Sequence, residues 1–197
     1  MGNQIIIAVS REFGSGGLDI AEKISSKLGI TLYDKNILKK MEEEGQINAE
    51  IMSKFDEKPS NPFFTRHMRG LSNSMEENLA FMQFFFIREK AEAGESFVVV
   101  GRCAEEVLKD NDNAVSVFVF GSKEKRIERI MQREGVDEKK ASAEMKRIDS
   151  ERKHYHNGYC DYDWGDSRAY DICISSDRLS ADTIADGIIE LAKKIIK

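Results

Sequence analysis

Between a β-branched run at residues 4–9 and a helical repeat of Ile20, Ile24 and Leu28 stands the segment Ser10-Arg11-Glu12-Phe13-Gly14-Ser15-Gly16-Gly17. Glycines at this spacing let successive backbone N–H groups turn inward around an anion, and the start of the next helix adds partial positive charge. Gly14, Ser15, Gly16 and Gly17 are therefore candidate phosphate-binding residues. A glycine-rich turn that binds nothing is the competing reading. A complete Walker loop carries a lysine where this chain has Gly17 and a hydroxyl where it has Leu18. The lysine supplies charge to the β- and γ-phosphates, and the hydroxyl holds Mg²⁺. With both absent, Arg11 is the candidate source of charge, and Asp19 or Asp34 could reach a metal through water. No direct metal ligand is identifiable.

A second group of cations lies downstream. Arg126, Arg129 and Arg133 recur at i, i+3 and i+7, hence on one helix face, beside an apolar face of Ile127, Ile130 and Met131. An arginine stripe over a cleft would neutralise a phosphoryl group in transfer, which makes these candidate catalytic residues together with Arg152. A surface ladder with Glu124, Glu128 and Glu134 is the alternative. Asp149 and Arg152 are spaced for an i, i+3 pair that presents the guanidinium to a ligand, or for a plain surface pair. His154, Tyr155 and His156 find no third ligand at suitable spacing and read as surface, not metal. Trp164 is expected to anchor this region's return to the body of the fold. Cys103, Cys160 and Cys173 are odd in number and lack metal-ligand spacing, which fits a reduced, cytoplasmic chain.

These residues need a scaffold, and the hydrophobic pattern supplies one. Strand, glycine turn, helix closed by Gly29, then a brief strand at residues 31–33 make a βαβ unit. The alternation resumes with strands at 97–100, 115–120 and 171–175, and helices at 104–108, 123–133 and 184–196. Five strands alternating with helices imply an α/β fold: one domain with a five-stranded parallel sheet covered on both faces. Two helical stretches interrupt the rhythm. Residues 35–95 contain Pro59, Pro62 and the uninformative His67, and end in a long helix through Leu79, Met82, Phe86 and Ala93. Residues 123–166 form the other. The phenylalanines at 81 and 84–86 suit a core or a homodimer contact.

Composition bounds the rest. The 197 residues, 41% hydrophobic and 33% charged, fit one soluble domain. The longest apolar runs fall far short of the ~20 residues that a membrane helix needs, and no secretory signal pattern opens the chain. The net charge of -5 argues against a nucleic-acid polymer as partner. Within it, residues 123–154 hold eleven Lys and Arg against eight Asp and Glu, a local basic excess suited to a small anion or to a solvated helix face.

The order of these segments resembles the cytidylate-kinase superfamily, and most of all its cytidylate kinase-like branch, whose opening is similar to residues 10–17 here. Val98-Val99-Val100-Gly101-Arg102 is similar to the third strand and Gly-Arg turn of cytidylate kinases, which implies an acceptor-binding role for Arg102. Tyr33-Asp34 is similar to the strand end that faces the acceptor. Residues 117–122 with Glu124, Arg126 and Arg129 resemble the fourth strand and the entry to the lid; Asp149 and Arg152 match the lid's Asp-x-x-Arg pair. Departures from the family pattern are Leu18 for an arginine, Val100 and Cys103 for aspartates, and Met145 for a lid arginine. The resemblance implies a P-loop nucleotide kinase fold with residues 35–95 as acceptor-binding insertion and 123–166 as lid. It implies ATP and Mg²⁺ as cofactors, small nucleotides as partners, and transfer of the γ-phosphoryl group to an acceptor such as CMP or dCMP. Asp34, Arg102 and Asp149 would line the acceptor side. A regulatory nucleotide-binding module that has lost the chemistry, and a kinase for another metabolite, stay open.

Overall fold

A strand covered on both faces must be apolar on both, and the strands of this chain are short and apolar throughout. The structure, a computed structural model, describes residues 4–43 and 75–196; Pro59, Pro62, His67 and the middle of the 35–95 insertion lie outside the described residues. Strands β1 (Ile6–Arg11), β2 (Thr31–Tyr33), β3 (Phe97–Val100), β4 (Ala114–Phe120) and β5 (Ile172–Ser175) form one parallel sheet in the order β2-β3-β1-β4-β5. Ile6 registers with Phe97 on one side and Ala114 on the other, so β1 is central.

Period-two alternation splits the core into two layers. Ile7 and Val9, Val98 and Val100, and Val115, Val117 and Val119 face one side. There they meet Ile20, Ala21 and Ile24 of α1 (Gly17–Leu28) and the buried stripe of α7 (Ala181–Ile195). Ile6, Ala8, Phe97 and Val99 face the other side. Their cover is α2 (Ile37–Glu43), α3 (Met75–Glu92) and α4 (Ala104–Val107), through Ile37, Met82, Phe86 and Ala104. The result is the three-layer α/β/α architecture that the strand–helix alternation predicts. The phenylalanines of α3 mostly enter the core: Phe86 meets Tyr33 edge-to-face, and Phe81 and Phe84 meet Tyr159, while Phe85 is exposed.

The basic segment forms two helices packed on each other, α5 (Lys123–Glu134) and α6 (Glu138–Tyr159). Gly135 in the left-handed conformation ends the first, and the Asp137 carboxylate caps the second by accepting from the Lys140 N–H. Their shared core of Ile127, Ile130, Ala141 and Met145 receives Phe13 from the glycine-rich loop. That loop leaves the carboxyl end of β1. The chain leaves β1 toward β2 but leaves β3 toward β4, so the neighbouring ends of β1 and β3 flank the point where the winding reverses. In open α/β sheets, ligands bind in the crevice at such a point.

Gly14 fixes the loop against α5. Its φ is 79°, and a Cβ there would meet the Arg126 carbonyl at 2.8 Å and the Ile130 side chain at 3.0 Å. Gly29, which closes α1, shares the left-handed conformation (φ 64°) but would meet nothing within 4 Å. Gly29→Ala should therefore cost only the roughly 1–2 kcal/mol of left-handed strain. Gly14→Ala adds overpacking and should cost roughly 2–5 kcal/mol. Denaturant unfolding of the two variants checks this, and equal losses would show that α5 does not bear on the loop.

Candidate functional site

An anion cradle must present amides and turn its carbonyls away. Five consecutive carbonyls of the loop do turn away, each to a donor of the same chain. The Arg11 carbonyl accepts from Arg152 at 2.9 Å. That of Glu12 accepts from the Ser15 hydroxyl at 2.8 Å, and that of Phe13 from Arg126 Nε at 2.8 Å. The carbonyls of Gly14 and Ser15 accept from Arg129 at 3.4 and 3.5 Å. The first turn of α1 has no side-chain cap, which leaves its backbone N–H groups facing the loop.

The arginine stripe thus divides by depth. Arg126, only 6% exposed, is paired with Glu12 at 3.2 Å and with Asp149, besides the Phe13 carbonyl. Arg129 holds the Ser176 hydroxyl at 2.9 Å and the Ser176 carbonyl at 2.5 Å, so it ties the loop to the end of β5. Arg133 is exposed, pairs with Glu134 at 2.6 Å and lies 4.8 Å over the Phe13 ring. Asp149 accepts from the Phe13 N–H at 2.8 Å as well as from Arg126, so its hydrogen bonds are made with the glycine-rich loop and α5.

Arg11 explains the loop's missing lysine. A Cβ on Gly17 would lie 2.5 Å from Arg11 Cβ and 3.0 Å from its Cγ, so the Arg11 stem occupies the space through which a lysine at 17 would leave the backbone. Further out, a Cβ on Gly101 would fall on Arg11 Nη1. The side chain therefore runs from the glycine at the start of α1 to the glycine at the end of β3. Burial, and then the neighbouring Arg152 and Arg102, push the Arg11 guanidinium down to about 9, against the favourable pull of Glu105 and Asp34. It stays charged at neutral pH, with an incomplete set of counter-charges. Burial also lowers Arg152, which Asp149 opposes and Arg126 and Arg133 reinforce.

Arg11, Arg102 and Arg152 line a cavity of about 380 Å³ together with Lys35, Tyr155 and Trp164. The turn that delivers Arg102 is unusual: Gly101, Arg102 and Cys103 have φ of 74°, 60° and 50° in succession. Each non-glycine residue held there costs about 1–2 kcal/mol, and such strain gathers where side chains must be aimed. The Gly101 N–H on the Val9 carbonyl (3.0 Å) and the Val107 N–H on the Cys103 carbonyl (2.9 Å) brace the turn. Asp34, at the end of β2, accepts from the Asn36 N–H at 2.9 Å and acts as a turn residue ahead of α2. Trp164 packs edge-to-face on Phe118 of β4, 5.6 Å between centroids.

A protein-held Mg²⁺ does not fit the donors at this loop. The Ser15 hydroxyl is engaged by the loop itself, the Ser10 hydroxyl donates to Glu105 at 3.1 Å, and the end of β3 and the turn after it carry Val100 and Cys103 where a carboxylate would be needed. Asp19 sits exposed on α1 beside Lys23.

His156 corrects a sequence expectation. It lies in the interior, not on the surface, with Nε2 2.7 Å from Glu105 Oε1 and 3.4 Å from the Tyr170 hydroxyl. Burial alone would lower the imidazole, but hydrogen bonds with Cys160 and Glu105 outweigh it and hold it up at about 10. The spacing His156-x-x-x-Cys160 puts both on one face of α6 and was the available signal. Glu105 carried none, because only the crossing of α4 and α6 brings it near. The carbonyl-holding roles of Arg126 and Arg129 were equally hidden, since acceptors on the backbone leave no mark on side-chain patterns.

The geometry has counterparts among known proteins. A structure of an uncharacterized protein from Eubacterium ventriosum is 43% identical, with a TM-score of 0.76 over 96% of this chain and 99% of that one. Shikimate kinases share the fold at low identity. That of Acinetobacter baumannii, in complex with shikimate, is 13% identical with a TM-score of 0.51 over 97% of this chain and 94% of its own. That of Bacteroides thetaiotaomicron is 13% identical with a TM-score of 0.53 over 96% and 98%. No curated protein matches the chain. A glycine-rich loop ahead of α1, a five-stranded parallel sheet with P-loop kinase counterparts, and a profile that matches residues 6–178 together place this chain in the cytidylate kinase-like family.

Proposed function

We propose that this chain is a phosphotransferase that moves the γ-phosphoryl group of ATP to a small phosphorylated acceptor such as CMP or dCMP. The observation that carries this reading is the convergence of Arg11, Arg102 and Arg152 on one cavity beside a loop whose carbonyls are all turned away. The loop amides and the N-terminus of α1 suit the donor phosphates. The cavity guanidiniums suit the acceptor phosphate and the charge in transfer, because fixed cations in a water-poor site stabilise charge without reorganising. Arg11 takes the place of the Walker lysine. Arg126, Arg129 and Asp149 act as positioning residues through the loop, and Arg133 is the exposed arginine of the stripe, which would exchange its Glu134 pairing for a bound nucleotide. Asp34 sits where the acceptor side begins. The ATP chemistry needs Mg²⁺, which the nucleotide's own phosphates would carry.

A neighbouring phosphate would relieve the repulsion among the three guanidiniums. Inorganic phosphate or sulfate at about 100 times its Kd should stabilise the chain by about 2.7 kcal/mol, a Tm increase of roughly 5–10 °C for a protein of this size. Differential scanning calorimetry should find the increase abolished in Arg11→Ala. It should also be cut in Gly17→Ala, whose new methyl displaces the Arg11 stem. An anion response that survives in Arg11→Ala would remove Arg11 from the site.

The second reading, a regulatory nucleotide-binding module, draws on the same loop: Gly17 and Leu18 in place of lysine and hydroxyl, and no carboxylate at Val100 or Cys103. A coupled assay with ATP, Mg²⁺ and a panel of nucleoside monophosphates separates the two. Turnover with CMP or dCMP, falling by about 10²-fold or more in Arg102→Ala, is the expected outcome. Nucleotide binding without turnover selects the regulatory module, and turnover only with a non-nucleotide acceptor selects another metabolite.

A further inference from the structure

One wall of the arginine-lined cavity carries donors that phosphate chemistry does not use. Ser10, Cys103 and His156 line it, and behind them the carboxylate of Glu105, the imidazole of His156 and the thiol of Cys160 lie within 4.8 Å of one another. Glu105 comes from α4, while His156 and the capping Cys160 close α6. The Glu105 and His156 side chains are 4% and 5% exposed.

A plain ion pair accounts for only part of this. His156 Nε2 and Glu105 Oε1 lie 2.7 Å apart, yet neither Glu105 Oε1 nor His156 Nδ1 has a hydrogen-bond partner among the described residues. A buried polar atom left without a partner destabilises the fold. A pair of this kind also has no use for a thiol. A cation does: it takes the place of the Nε2 proton between imidazole and carboxylate and takes the thiolate as a third ligand.

One neighbour is placed as an outer partner of a metal site is, holding a ligand through the atom that faces away from the cluster. The Ser10 hydroxyl holds Glu105 Oε2, the oxygen that does not face His156, at 3.1 Å. The Tyr170 hydroxyl lies 3.4 Å from the imidazole Nε2.

We propose that Glu105, His156 and Cys160 form a binding site for a zinc-class divalent cation that ties α6 to α4 beside the cavity. Carboxylate, imidazole and thiolate are the donors of tetrahedral zinc, and three of them leave a fourth position for a non-protein ligand. A thiolate and an imidazole select a borderline-soft ion over Mg²⁺, so this ion is distinct from the one that accompanies ATP. On binding, the thiol proton and the imidazolium proton leave together. Two negative ligands then face a doubly charged ion, and the buried group stays neutral as it was before. The Nε2 to Oε1 distance of 2.7 Å opens as both atoms turn from each other to the metal. The consequence for the cavity follows from helix geometry. Arg152 stands one turn before His156 on the same face of α6, and Cys103 belongs to the left-handed turn that aims Arg102. Fixing His156 to Glu105 therefore fixes two of the three guanidiniums.

Cobalt titration of the whole, chelator-stripped chain tests the site. One equivalent of Co²⁺ per chain should bind with a thiolate-to-cobalt charge-transfer absorption and raise the Tm, and excess Mg²⁺ should not displace it. Cys160→Ser should abolish the absorption and weaken binding by at least about tenfold, whereas Cys173→Ser, exposed on β5, should change neither. The wild-type titration stands without any variant. A chain folded by circular dichroism that takes up no cobalt, or takes it up without the thiolate absorption, overturns the proposal. Displacement by Mg²⁺ or undiminished binding in Cys160→Ser does the same.

Discussion

A buried guanidinium laid across two glycines sets the terms for the whole site. Arg11 leaves the end of β1, passes over Gly17 and comes to rest at Gly101. Both positions must lack a side chain for it to do so, which turns an unexpected phosphate-loop residue into a steric requirement. Its charge is then held in the interior beside Arg102 and Arg152, with Glu105 and Asp34 as partial compensation. Such an arrangement costs folding free energy as long as the charges face only one another. It is the kind of cost that persists where a ligand supplies the missing charge, and strain in the Gly101–Arg102–Cys103 turn points the same way.

Around that cation the other arginines take different tasks although their spacing makes them look alike. Arg126 and Arg129 are tied to backbone carbonyls of the loop and to Asp149 or Ser176. They shape the cradle from outside. Arg152 does both jobs, with one nitrogen on the Arg11 carbonyl and its guanidinium on the cavity wall. A stripe at i, i+3 and i+7 shares one face, but α5 meets the loop at its amino-terminal half. Depth therefore falls from Arg126 to the exposed Arg133 along the same face.

The elements were largely legible from hydrophobic period and glycine punctuation. Ile20, Ile24 and Leu28 followed by Gly29 defined α1 because a left-handed cap leaves a residue-type signature. The inner strands stood out because they are largely apolar on both faces, and the edge strands β2 and β5 because a short apolar run ends at a turn. The site was legible in its glycines and cations and less so in their partners. Asp149 looked like half of a helical pair with Arg152, yet it is committed to the Phe13 N–H and to Arg126, contacts that cross from α6 to the loop. His156 looked like surface because no third ligand stands at suitable spacing from it and His154, whereas the i, i+4 face it shares with Cys160 turns inward. In both cases local spacing gave the face of the helix, and tertiary packing decided what that face met.

The same crossings make the loop and α6 parts of one equilibrium. The Phe13 N–H and the Arg11 carbonyl have their partners on α6, in Asp149 and Arg152, and the Phe13 ring lies under Arg133 and Arg152. Moving α6 away would strip the loop of those bonds at about 0.5–1.5 kcal/mol each, and more where a charge is involved. A ligand that binds the loop in this shape must therefore favour the docked helix, and whatever docks the helix must favour that ligand by the same factor. The Glu105–His156 contact lies at the other end of α6, one turn beyond Arg152. The tie between α4 and α6 thus acts on the phosphate loop without touching it, through a single helix that carries a loop contact, a cavity arginine and a buried anchor in successive turns.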